Sequence, residues 1–65
     1  MNELIGQVIT ALVTDENETA FFVQKDGVTF ELKKETLEQE LTIGETVTGF
    51  AYENSSRELI LSTFI

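Results

Sequence analysis

Residues 19–33 read Thr19-Ala20-Phe21-Phe22-Val23-Gln24-Lys25-Asp26-Gly27-Val28-Thr29-Phe30-Glu31-Leu32-Lys33, the clearest β signal in the chain. Asp26-Gly27 divides two β-type runs. A type I′ hairpin turn needs positive φ at both central residues, and Asp-Gly is one of the few pairs that accept it. After the turn, Val28, Phe30 and Leu32 share one face at period two. Before it, Thr19 to Lys25 is dense in aromatic and apolar residues, as a strand requires. The stretch therefore reads as a β-hairpin.

Upstream, Leu4 to Thr14 (LIGQVITALVT) is rich in β-branched residues and reads as a long first strand. An acidic loop, Asp15-Glu16-Asn17-Glu18, leads from it into the hairpin. Downstream, Lys34 to Leu41 (KETLEQEL) holds good helix formers, with Leu37 and Leu41 four apart on one face. Only one or two turns fit, too few for a helix stable by itself. Gly44-Glu45 marks a turn into a fourth strand, Thr46 to Glu53 (TVTGFAYE). Asn54-Ser55-Ser56-Arg57 is a turn by composition, and Glu58 to Thr63 (ELILST) is the fifth strand. The expected fold is all-β: a five-stranded OB-fold barrel with a short helix between strands three and four. Closure hides the strand edges. Gly6 and Gly49 are expected inside strands, at the sharp bends of such a barrel.

Composition bounds what the chain does. Its 65 residues make one domain, burying only about 60 % of the unfolded surface. Four Lys/Arg against twelve Asp/Glu give a formal net charge of −8, which removes the long-range attraction that nucleic-acid binders normally draw on. There is no Cys and no His, so disulfides, the common zinc sites and the commonest general base are excluded. With no phosphate-binding glycine loop either, the chain is not expected to be an enzyme. Asp15, Asn17 and Thr19 alternate as in the start of a calcium loop. The pattern then fails, because Ala20 stands where the sharp-turn glycine belongs and Asp26 where the bidentate glutamate belongs. No metal or cofactor is expected. The apolar runs are too short to cross a bilayer, and Met1 to Ile5 carries Glu3 and no basic residue, unlike a signal peptide. A cytoplasmic location is expected.

Gly6-Gln7-Val8, Phe22-Val23, Asp26-Gly27-Val28, Gly44-Glu45-Thr46-Val47 and Leu59-Ile60-Leu61-Ser62, in that order, resemble the S1 RNA-binding domain pattern over nearly the whole chain. More narrowly, Phe22-Val23-Gln24-Lys25-Asp26-Gly27 and Gly49-Phe50-Ala51-Tyr52 resemble the first S1-like domain of the conserved virulence factor B (CvfB) family. Those bacterial RNA-binding regulators carry several S1-like domains and a winged-helix domain in one chain. The resemblance implies that residues 1–65 are an N-terminal piece of a longer multidomain protein. The apolar ending Thr63-Phe64-Ile65 agrees with that expectation.

The resemblance also implies a binding face. The aromatic before the valine of strand two is Phe22, with Phe21 and Val23 turned into the core. The ring often found on strand three corresponds to Phe30, whose alternation makes it core. The polar residue opening the last hairpin is Asn54. The basic residue that begins strand five is replaced by Glu58, with Arg57 beside it. Phe22 would stack an unpaired base; the alternative is plain core packing. Phe50 and Tyr52 alternate with Val47, Gly49 and Ala51, so both rings face out if the small residues face in. Tyr52, with its hydroxyl, is the better surface candidate; Phe50 competes with burial under the helix or a loop. The basic residues are Lys25, Lys33, Lys34 and Arg57. Lys33 and Lys34 follow strand three and would touch phosphates, or simply form solvated charges. The candidate RNA-binding residues are thus Phe22, Lys25, Lys33, Lys34, Tyr52, Asn54 and Arg57. Two functions compete: a module holding single-stranded RNA by aromatic stacking, and a protein–protein or interdomain packing module with little RNA affinity.

Overall fold

A computed structural model describes residues 3–37 and 40–63. Five strands, β1 (Val8–Glu16), β2 (Ala20–Lys25), β3 (Val28–Lys33), β4 (Thr46–Glu53) and β5 (Leu59–Thr63), close into a barrel in the order β1-β2-β3-β5-β4. All pairings are antiparallel except β3 with β5. β1 is long enough to serve two partners: residues 8–12 pair with β4 and residues 12–16 with β2. A register shift between Val13 and Asp15 lets it bend from one to the other.

Strand alternation builds the core. Ile9, Ala11 and Val13 of β1, Phe21 and Val23 of β2, Phe30 and Leu32 of β3, Val47 and Ala51 of β4 and Leu61 of β5 form one buried cluster. No buried polar side chain interrupts it among the described residues. Asp26 and Gly27 have φ of 51° and 79°, the positive pair that the type I′ turn demands. Gly49 is required for another reason. A Cβ there would lie 2.5 Å from the Ser62 carbonyl oxygen, so β4 and β5 approach closely because this position has no side chain.

Several expectations from the sequence change. The first strand begins at Val8 rather than Leu4 and runs through Asp15 and Glu16. Gly6 sits in a turn, not a strand: its φ is 86°, and its N–H donates to the Ala51 carbonyl at 2.7 Å. Leu4 and Ile5 still pack against the core. The loop after β1 shrinks to Asn17–Thr19, held by the Asn17 side-chain oxygen, which accepts from the N–H groups of Thr19 and Ala20 at 2.9 and 2.8 Å. The short helix reduces to one 3-10 turn, Lys34–Thr36, after which Leu37 is extended. Leu37 and Leu41 are both drawn onto the barrel core, so burial rather than helical propensity sets the path there. Glu38 and Gln39 of the expected helix, the ending Phe64-Ile65, and Met1 and Asn2 lie outside the described residues. Strands β2 and β5 each start one residue later than read, at Ala20 and Leu59.

Candidate nucleic-acid interface

Alternation along β2 puts Phe21 inside, 2 % exposed, and leaves Phe22 half-buried on the outer wall. Phe22 stands in register with Glu31 of β3 on one side and Asp15 of β1 on the other. The β1 bulge brings Asp15 into that register, while the neighbouring Thr14 hydroxyl donates to the Phe22 carbonyl at 3.3 Å. The ring thus sits between two strand positions bearing carboxylates. Phe30, the strand-three ring, is fully buried, as its alternation requires.

The lysines near this face are engaged. Lys33 Nζ lies 3.0 Å from Glu31 Oε2, and Lys34 Nζ lies 2.7 Å from Glu16 Oε2. Lys34 also stands 4.9 Å from the centroid of the Phe21 ring. The hydrogen bond and charge of Glu31, joined by the charges of Glu58 and Glu35, raise Lys33 above its ordinary value; desolvation opposes them. A shallow depression of about 480 Å³ lies here, lined by Glu18, Thr19, Lys33, Lys34 and Glu35. An incoming phosphate would meet each ammonium with part of its charge already balanced by a carboxylate.

The other predicted residues gather at the opposite end. β2 and β4 both run antiparallel to β1, so the Asp26-Gly27 turn and the β4–β5 hairpin share one end of the barrel. Lys25, half-buried, and Arg57, exposed with φ of 65°, are there, and neither makes an ion pair among the described residues. Asn54 is committed to the hairpin. Its Oδ1 accepts from the N–H groups of Ser56 and Glu58 at 3.0 and 2.9 Å, and its Nδ2 donates to Glu58 Oε1 at 3.0 Å. That is an Asx turn, which closes the loop before it offers anything to a ligand.

Tyr52 lies on the outer wall of β4, 37 % exposed, and Phe50 beside it is 38 % exposed rather than covered by a helix or loop. The two rings are 6.4 Å apart between centroids with planes 23° from parallel. Tyr52 and Phe22 belong to one row around the barrel: Phe22 pairs with Glu31, Glu31 with Ile60, and Ile60 with Tyr52. Three interstrand spacings of about 4.8 Å separate them. Sequence reading missed Val8 and Leu12, which are 57 % and 44 % exposed on β1. The available signal was their alternation with Ile9, Ala11 and Val13.

A closed five-stranded barrel with one parallel β3–β5 contact and an aromatic residue on the outer face of β2 defines an OB-type domain. Residues 5–64 match the S1 domain family, and the chain belongs to that family. It is also similar to a solved multidomain protein with nucleic acid binding domains from Streptococcus pneumoniae TIGR4. The identity is 43 % and the TM-score 0.91, over 100 % of this chain and 22 % of that one. No curated protein matches the chain.

Proposed function

We propose that this chain is an S1-like module that holds single-stranded RNA by aromatic stacking, without catalysis, as one domain of a longer cytoplasmic regulator of the CvfB type. Neighbouring S1-like and winged-helix domains would then supply positive charge that this one lacks. The observation that carries the reading is Phe22, turned outward on the β2–β3 face of a barrel matched to the S1 family. That face, with the loops after β1 and β4, is where OB folds take oligonucleotides. Stacking on one ring is worth about 1–3 kcal/mol per base and tolerates any sequence, because every base has a π-face.

A second reading, a packing module with little RNA affinity, draws on the net charge of −8 and on the carboxylate partners of Lys33 and Lys34. Titration with short single-stranded RNA at two salt concentrations separates the two. The first reading expects binding that weakens with salt and falls about tenfold in Phe22→Ala. A folded chain that fails to bind at low salt supports the second.

A further inference from the structure

A quarter of the chain's residues are charged, yet the outward positions of β1 and β4 from Val8 to Leu12 and from Thr46 to Tyr52 carry no charge. They are Val8, Thr10 and Leu12 on β1, and Thr46, Thr48, Phe50 and Tyr52 on β4. Val8 stands opposite Phe50, and the hydroxyls of Thr10 and Thr48 join across the strands at 2.8 Å. On β5 the exposed Ser62 stands opposite Phe50, while Ile60 opposite Tyr52 is buried. A polyanion approaching a chain of charge −8 is repelled least where no carboxylate stands. Phe22 has Asp15 and Glu31 in register on its two sides; Phe50 has Val8 and Ser62.

β4 leads from the aromatic pair through Glu53 to the turn that holds Arg57. A strand of nucleic acid laid along β4 meets two near-parallel rings and then a hairpin in which Arg57, free of an ion pair among the described residues, stands with the exposed carboxylates Glu53 and Glu58. We propose that Phe50 and Tyr52 form a second base-stacking site for single-stranded nucleic acid, separate from Phe22, with Arg57 taking a phosphate at its end. The inference rests on the nucleic-acid reading above and adds a location to it. A second copy of the chain is a poorer occupant, because two bodies each of charge −8 repel.

Tyr52 reports on its own site, since the chain has one Tyr and no Trp. A short single-stranded oligoadenylate is titrated at low salt, following Tyr52 emission and, separately, the anisotropy of the labelled oligonucleotide. Quenching of Tyr52 at saturation is expected, and it persists at saturation in Phe22→Ala. The double variant Phe50→Thr, Tyr52→Thr binds about tenfold more weakly; Thr suits exposed strand positions, and circular dichroism checks the fold. Oligonucleotide binding with unchanged Tyr52 emission, or at wild-type affinity in the double variant, overturns the second site and leaves the Phe22 reading standing. Absence of binding by the folded wild-type chain removes both. Without oligonucleotide binding, a wild-type dimer in sedimentation that the double variant dissolves would assign the wall to protein contact and overturn the proposal.

Discussion

The β2–β3 face and the β1–β4 wall are built over the same core yet present opposite surfaces. Inward, both contribute buried apolar residues at every second position. Outward, β2 and β3 carry Phe22, Gln24, Thr29, Glu31 and Lys33, with Glu31 and Lys33 paired to each other. Over residues 8–12 of β1 and 46–52 of β4, the outward positions carry threonines, aliphatics and two rings. Alternation fixes which residues face out but leaves the outer chemistry free. One closed barrel can therefore carry a charged face and an uncharged one a few strands apart.

The largest expected effect removes the support common to both. Phe30 is fully buried, and Phe30→Ala should cost about 3–5 kcal/mol. Stability of about 0.05–0.15 kcal/mol per residue gives a chain this short about 3–10 kcal/mol, so the loss takes a large part or all of it. Circular dichroism should show an unfolded or barely folded protein, and both surfaces should be lost together.

Gly49→Ala acts on the wall alone. Its Cβ meets the Ser62 backbone, which cannot swing aside as a side chain would. A cost of about 1–3 kcal/mol is expected in urea unfolding. The altered β4–β5 spacing should disturb Phe50 and Tyr52 more than Phe22, and chemical-shift changes centred on β4 would check this.

A third experiment moves the charged face toward the uncharged one. In Glu31→Gln, a carboxylate leaves the register of Phe22 and Lys33 loses its partner. RNA affinity at low salt should rise. One freed cation should steepen the dependence of log K on log salt by about 0.7.

The smallest effect is on stability. Lys33 is raised above 10.5 chiefly by Glu31 in the folded chain. A raised folded value means that the stabilisation is present below the unfolded value and is lost as pH climbs through the folded one. The pair is only partly exposed, with side chains 37 % and 23 % accessible, but water still screens it, so the difference in urea midpoint between wild type and Glu31→Gln should be small at neutral pH. It should vanish at pH well above 10.5.

The faces differ in how far the sequence discloses them. The hairpin, the in-and-out order of Phe21, Phe22 and Val23, and the outward rings of Phe50 and Tyr52 follow from period-two alternation and one Asp-Gly pair. These are local rules acting over a few residues. The partners of Lys33 and Lys34 do not all follow so. Lys33 finds Glu31 two residues back on its own strand, which alternation allows, but Lys34 finds Glu16 eighteen residues away. The turn at Leu4–Gln7 was hidden because its residues are as β-prone as the strand after them. The run ends where Gly6 takes a φ of 86° and the Gln7 N–H folds back to the Leu4 carbonyl, with Gly6 and Gln7 both hydrogen-bonded to Ala51 on β4.

By itself the sequence determined five strands, their inward and outward sides, and an overall negative charge, because each depends on neighbours along the chain or on a sum over it. Barrel closure settled that Asp15 and Glu31 would flank Phe22, that Leu37 and Leu41 would be drawn onto the core, and that Gly49 would admit the β5 backbone. Those outcomes depend on which strands lie side by side after closure and on the bulge that shifts β1 by one residue. No local rule carries that information.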